Sequence, residues 1–218
     1  MNWWSMSTFK VLQNRHLTDE TFVLRTERPP EEIKAGQCFS VGTSRLAINR
    51  EYSMYSSAND NFIDFLVRKV ENGRVSSELQ ALLTGDEVEI GGPYGEFCLE
   101  EPIKGKKYLF IASGTGIAPF HSYVKTFPEL DYEILHGVRH EEEKYDFQDY
   151  SPERYSAAIS QPRSGLQGVR VSDLLVTRKF DPNEIVYLCG NRAMIVDCVE
   201  ILRNNGIRGD SLFMETFF

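Results

Sequence analysis

Along the first hundred residues, apolar positions alternate with polar ones in short runs. Residues 7–13 and 20–27 carry alternating or β-branched apolar side chains, and 37–43, 50–56, 61–70 and 87–91 continue the pattern. A period of two over such lengths is that of half-buried strands. Gly, Asn or Asp separates the runs, and Phe62, Ile63, Phe65, Val67 and Val70 mark the strongest of them. Several short antiparallel strands in about 100 residues predict a small barrel, which hides its edges by closure. One helix is predicted within it, over 75–83, with Leu79, Leu82 and Leu83 on one face. Thr84-Gly85-Asp86 ends that helix and turns the chain into the next strand.

The rhythm changes near Glu101-Pro102. A compact apolar strand over 106–112 leads into Gly-rich residues and a helix over 117–127. A second strand is predicted over 132–138 and a third over 184–188, followed by a helix from 191 to about 204. Strand–helix alternation implies a parallel sheet with helices on both faces. The fold class is therefore two-domain, an antiparallel β-barrel over 1–102 and an α/β parallel sheet over 103–218. The 218 residues suit two cores of about 100 residues each.

Composition adds exclusions. The chain is 41% hydrophobic and 26% charged, with a net charge of −8. That balance argues against nucleic acid, which is bound chiefly through Lys and Arg. No apolar run approaches the roughly 20 residues a membrane-spanning helix needs, so no membrane association is expected. The N-terminus lacks the basic and apolar regions of a signal peptide. Cys38, Cys98, Cys189 and Cys198 form no C-x-x-C pair, which disfavours an iron–sulfur cluster or a cysteine zinc site. Reduced thiols in a cytosol are the expectation. His16, His121, His136 and His140 show no metal-ligand spacing, and His136, at a strand end, reads as structural. Arg68, Lys69 and Arg74 cluster, as do Lys104, Lys106 and Lys107. Solvated faces explain either cluster, although a local basic patch for an acidic partner stays open.

Three segments are candidates for phosphate binding. Ser113-Gly114-Thr115-Gly116-Ile117-Ala118-Pro119 follows a strand and opens a helix. Glycines there let a pyrophosphate approach the backbone, and the helix N-terminus supplies N–H donors. Tight packing is the other reason for glycines at such a turn. In the barrel half, Arg50-Glu51-Tyr52-Ser53 combines a guanidinium for a pyrophosphate, a flat aromatic face and a small hydroxyl. Gly73-Arg74-Val75-Ser76-Ser77 opens the predicted helix and offers its amides.

Together these segments resemble the ferredoxin–NADP reductases, specifically the bacterial-type ferredoxin/flavodoxin reductases. Arg50-Glu51-Tyr52-Ser53 is similar to that family's flavin motif, and Gly73-x-x-Ser76 to its pyrophosphate helix. Ser113 to Phe120 is similar to its nicotinamide-nucleotide loop. His136-Gly137-Val138-Arg139, Cys189-Gly190-Asn191-x-x-Met194 and the terminal Glu215-Thr216-Phe217-Phe218 match as well. The resemblance implies FAD bound by the barrel and NADP(H) or NAD(H) bound by the second domain. Arg50 and the amides of Val75, Ser76 and Ser77 would hold the FAD pyrophosphate, with Gly73 opening their helix. Tyr52 would lie against the isoalloxazine and Ser53 near its N5. Gly114, Thr115 and Gly116 would cradle the nicotinamide nucleotide, with Arg139, Ser160 and Arg163 toward its ribose end. Cys189, Gly190 and Glu215 would border the nicotinamide ring. A C-terminal tail would carry Phe217 over the flavin's other face and Phe218 beside it, against the adenine. The catalytic set would be Ser53, Cys189, Glu215 and Phe217, acting by placement because the flavin performs the chemistry.

The match departs at Ile159-Ser160-Gln161-Pro162-Arg163-Ser164, where Gln161 stands for the family's usual Arg. That weakens the expected NADPH preference and brings NADH forward. Tyr55 is bulkier than the family's usual residue there, and Phe217 lacks the hydroxyl of a terminal Tyr. The expected activity is electron transfer between NAD(P)H and ferredoxin or flavodoxin through FAD, by a monomer or weak dimer. Alternatives are a reductase of free flavins, a reductase component serving an oxygenase, and a non-catalytic FAD relay subunit.

Overall fold

Alternating side chains give each strand of the first hundred residues a face to bury, and an antiparallel sheet is the result. The structure, a computed structural model, describes residues 6–181 and 183–217. The strands are β1 (Ser7–His16), β2 (Thr21–Glu27), β3 (Cys38–Thr43), β4 (Ile48–Ser53), β5 (Phe62–Arg68) and β6 (Glu87–Tyr94). Their order is β4-β3-β6-β1-β2-β5. An antiparallel bridge between Met54 and Phe65 joins the two end strands, so the sheet closes on itself. Phe22, Leu24, Phe39, Val41, Ile63, Phe65 and Val67 fill its interior. A bulge between Val11 and Gln13 shifts the register of β1, which leaves Leu12 exposed. Arg25 and Asp64 face each other across β2 and β5 in a bidentate pair at 2.8 Å.

Helix α1 (Arg74–Ala81) is shorter than the predicted 75–83. Leu79 is buried, but Leu83 lies past the helix end and is exposed, contrary to its expected place on the buried face. The reason is an outside cap. Asn14 on β1 donates to the carbonyl oxygens of Leu79, Gln80 and Leu82 at 3.0, 3.2 and 2.9 Å, satisfying the helix C-terminus before Leu83.

The second half contains β7 (Tyr108–Ser113), β8 (Tyr132–Val138), β9 (Tyr155–Ile159), β10 (Ile185–Gly190) and β11 (Leu212–Thr216). They form an all-parallel sheet in the order β11-β10-β7-β8-β9. The strand at 185–190 is thus the fourth of this sheet in chain order, not the third, because β9 precedes it. A single 3-10 turn, Gly114–Ile117, separates β7 from helix α2 (Ala118–Thr126). The predicted 117–127 helix therefore starts later. Helices α3 (Val171–Thr177) and α4 (Arg192–Asn204) pack with Leu109, Ile111, Val186 and Leu188 in one core. Tyr108, Phe110 and Tyr187 alternate with those residues and cluster on the opposite face. Helices α3 and α4 are neighbours and cover the first of these faces. Arg178 locks the lower end of this sheet through Glu184 at 2.7 Å and Glu133 at 2.9 Å.

The chain divides into two compact units, Met1–Glu100 with Ala118–Thr126, and Glu101–Ile117 with Phe127–Phe218. Helix α2 thus follows the second unit's first strand in sequence yet packs with the barrel. The His121 ring stacks on Tyr55 with centroids 3.9 Å apart, and its Nδ1–H donates to the Tyr55 carbonyl at 2.6 Å. Gly36 N–H donates to Ser122 Oγ at 3.2 Å and Ala58 N–H to Thr126 Oγ1 at 2.9 Å. The large Tyr55 noted in the sequence is a fully buried stacking partner for this helix.

Candidate functional site

In the barrel unit the candidate site begins on β4. Arg50 is exposed there, and the hydrogen bond given by its guanidinium goes to the Asn49 carbonyl at 2.8 Å. No described carboxylate pairs with it, in contrast to Arg25. Tyr52 is half-buried against the barrel core. Burial pushes its hydroxyl up to about 12, with Arg50 pulling the other way, so the ring stays neutral at physiological pH. Ser53 ends the strand, buried, opposite Cys38.

The other part of this site is the N-terminus of α1. Gly73 is its N-cap and gives no side-chain cap. Ser76 is turned back, its Oγ accepting from Val70 N–H at 3.1 Å. Ser77 N–H donates to the Gly73 carbonyl at 3.3 Å, the first bond of the helix. The amides ahead of the first helical bond are those of Arg74, Val75 and Ser76. Three such amides and an exposed guanidinium suit a pyrophosphate, so these residues fit FAD.

In the second unit the candidate site lies at the carboxyl ends of the parallel strands. The chain runs outward from β7 through β8 to β9, then returns to β10 on the other side of β7. The switch point between β7 and β10 is where open α/β sheets bind ligands. Gly114 is there with φ +54, and a Cβ built on it would meet nothing within 4 Å. Its neighbour Gly116 differs. A Cβ there would collide with the Cys189 carbonyl and come 2.8 Å from the Gly190 Cα. Gly114 is the open glycine, available to a ligand, whereas Gly116 faces the β10 backbone and is needed for packing. Thr115 is half-buried between them.

Two props hold this loop. Asn191 N–H donates to Ser113 Oγ at 2.8 Å from the β10 side. His136 Nε2 meets the Gly114 carbonyl at 2.8 Å from the β8 side. Cys189 is fully buried, and burial pushes its thiol up, with Glu215 acting the same way. It is a neutral, inert group. Cys189 is paired in register with Glu215 on β11, so the half-buried carboxylate lies beside the Cys189–Gly190 segment. Phe217 N–H donates to the Gly190 carbonyl at 2.9 Å and keeps the chain end next to it. Phe213, by contrast, stacks on Tyr187 at 4.7 Å. Phe218 lies outside the described residues.

At the ends of β8 and β9 the cations have acidic partners. Arg139 binds Glu143 through its guanidinium at 2.9 Å and its backbone N–H at 2.9 Å. Arg163 pairs with Glu142. Ser160 Oγ donates to the Val138 carbonyl at 3.1 Å. His136, Ser113 and Arg74 lie in the motifs quoted from the sequence, but their contacts were not readable there, since the partners are set by strand register and helix capping.

Family comparison agrees with both halves. Residues 9–98 match the oxidoreductase FAD-binding domain and residues 110–200 the oxidoreductase NAD-binding domain. The chain is similar to a ferredoxin–NADP reductase of Azotobacter vinelandii, 26% identical over 94% of this chain and 92% of that protein. It is also similar to the toluate 1,2-dioxygenase electron transfer component of Pseudomonas putida, 32% identical over 77% of this chain. The chain spans only 54% of that second relative's length. In fold it is similar to a ferredoxin NADP+ reductase from Neisseria gonorrhoeae, with a TM-score of 0.82 at 24% identity, over 99% of this chain and 100% of that one.

Proposed function

Because the chain belongs to the oxidoreductases that join an FAD-binding domain to an NAD-binding domain, we propose that it transfers electrons between NAD(P)H and a one-electron carrier of the ferredoxin or flavodoxin type. FAD, when bound, supplies the exchange between two-electron and one-electron chemistry. The chain's own residues bind and orient. Arg50 with the amides of Arg74, Val75 and Ser76 neutralises the FAD pyrophosphate, and Tyr52 offers its face to the flavin ring. Gly114 and Thr115 admit the nicotinamide nucleotide, while Cys189, Gly190 and Glu215 border its reactive end. Positioning of this kind is the protein's share of a hydride transfer. One observation carries the reading: residues 9–98 match an FAD-binding domain family and residues 110–200 an NAD-binding domain family.

An anaerobic titration of the purified protein with NADH and NADPH in turn, followed by flavin absorbance, tests it. Bleaching of bound flavin is expected. A protein purified without flavin that reduces added flavin would instead be a free-flavin reductase. Bound flavin that neither coenzyme bleaches would mark a relay subunit. Cytosolic residence accords with this reading. A second reading, a reductase serving an oxygenase, is favoured by the likeness to the toluate dioxygenase component. It predicts that NAD(P)H oxidation by this protein sustains turnover of an added oxygenase component, which the first reading does not require.

Coenzyme choice follows from the paired cations. A 2′-phosphate at the ends of β8 and β9 would meet Arg139 and Arg163 already occupied by Glu143 and Glu142. Preference for NADPH over NADH should therefore stay below about 100-fold, or about 2.7 kcal/mol. Arg163 is the more accessible of the two, and an exposed ion pair is worth about 0–1 kcal/mol. Glu142→Gln should accordingly raise kcat/KM for NADPH by up to about fivefold and leave NADH unchanged. Equal gains for both coenzymes would mean that no 2′-phosphate approaches Arg163.

A further inference from the structure

We propose that His136 and Tyr155 are positioning residues for the dinucleotide loop, a pair that holds the Gly114 carbonyl inward and thereby aims the Thr115 amide at a bound pyrophosphate. The proposal rests on the reading of that loop given above. His136 is fully buried on β8, in register with Ala112 on β7 and Ala157 on β9. Its Nε2 lies 2.8 Å from the Gly114 carbonyl oxygen and its Nδ1 lies 2.9 Å from the Tyr155 hydroxyl. A carbonyl only accepts, so Nε2 carries the proton. A neutral imidazole has one N–H, so Nδ1 accepts from the Tyr155 hydroxyl. Burial holds the imidazole neutral, its pKa down to about 4 against the opposing pull of the Gly114 bond and Glu143.

The Tyr155 ring is itself fixed. It stacks on Tyr150 with centroids 5.2 Å apart and 5° between planes. Phe147 stacks on it as well, at 6.4 Å. The tyrosine thus sets the tautomer, and the tautomer sets the donor that reaches Gly114. The Gly114–Thr115 peptide is trans and planar, so its C=O and N–H point in opposite directions. Fixing the carbonyl toward β8 directs the Thr115 N–H away from it. Gly114 has the left-handed φ this turn requires, +54, and open space where a side chain would be. A donor held in place before the ligand arrives costs no reorganisation when it binds.

The test is calorimetric binding of NAD⁺ and NADP⁺ to the purified flavin-loaded protein, with melting temperature and flavin content measured alongside. Three variants separate placement from packing. His136→Leu removes the donor. His136→Gln keeps an amide N–H at the Nε2 position. Tyr155→Phe deletes one hydroxyl and leaves the ring stack. His136→Leu should weaken dinucleotide binding about tenfold or more and Tyr155→Phe about threefold, the losses expected when a buried hydrogen bond goes unmade. His136→Gln should stay within about threefold of wild type. Flavin content should not change in any of them. If His136→Leu does not fold, Tyr155→Phe carries the test. Unaltered dissociation constants in Tyr155→Phe and His136→Leu, with or without a lower melting temperature, would overturn the proposal and leave His136 as a packing residue. A wild-type protein that binds neither dinucleotide would remove the loop's role itself, and this proposal with it.

Discussion

Replacing Arg50 by alanine is expected to strip the protein of most of its flavin while leaving the barrel folded. Arg50 projects from β4 as an exposed residue, and no described carboxylate pairs with it. Arg25, two strands away from any such role, shows what a structural arginine looks like here. It is spent on Asp64 through two hydrogen bonds and lies over the Phe62 ring at 3.6 Å. The loss of one charge-assisted bond to a phosphate is worth about 1.5–3 kcal/mol, or about 10- to 150-fold in affinity. Arg50→Lys should lie between, since an ammonium keeps the charge without the bidentate fork. The ratio of flavin to protein absorbance after gel filtration reads the effect. The apoprotein's melting temperature should move little, because an exposed side chain contributes about 0.5 kcal/mol or less to stability. Full flavin occupancy in Arg50→Ala would remove Arg50 from the site.

The second large effect is expected at Gly116, and it is one of stability before binding. A valine there must push Cβ into the Cys189 carbonyl and to within 2.6 Å of the Cys189 carbonyl carbon. Both are backbone atoms of β10, bonded in register to β7, so neither can rotate out of the way. Overpacking against rigid backbone typically costs about 1–3 kcal/mol and more where nothing relaxes. The melting temperature of the second unit should fall by about 6 °C or more. Gly114→Ala provides the contrast. It has room, but its left-handed φ costs about 1–2 kcal/mol, and it should impair NAD(P)H binding with a smaller change in melting temperature. If Gly116→Val melts like the wild type and only loses coenzyme affinity, then Gly116 meets the ligand rather than β10. The sequence reading assigned the phosphate approach to both glycines alike. Their spacing is the same whether a glycine faces a ligand or a neighbouring strand.

Elements with a strong periodic signature were legible without the structure. The strand predicted over 132–138 is β8, and the helix predicted from 191 is α4 with Asn191 as its N-cap. Strand β9 and helix α3 were not legible. Tyr155-Ser156-Ala157-Ala158-Ile159 has two alanines and a serine, residues without strand preference, and it is a strand because β8 offers it a partner. Helix α3 is seven residues long, too short for a helical period to declare itself. Helix α2 was found within a residue or two at each end, but not its allegiance. Nothing in Ala118–Thr126 states which core its buried side chains join.

By itself the sequence determined the two kinds of domain, their order, and which segments are candidates for binding phosphate. Those properties follow from side-chain period and from residue type within a few positions, which are local. The tertiary structure alone decided which glycine is open, which amides at α1 remain available, and that each site arginine at β8 and β9 has a glutamate partner. It also decided that a buried histidine supports the loop. The loop contacts depend on groups far apart in the chain, 22 residues for His136 and Gly114 and 78 for Asn191 and Ser113, whereas Arg139 and Glu143 are only four apart. Strand register brings those loop contacts within hydrogen-bonding distance, because a slip of one residue would turn the His136 and Ser113 side chains to the other face of the sheet.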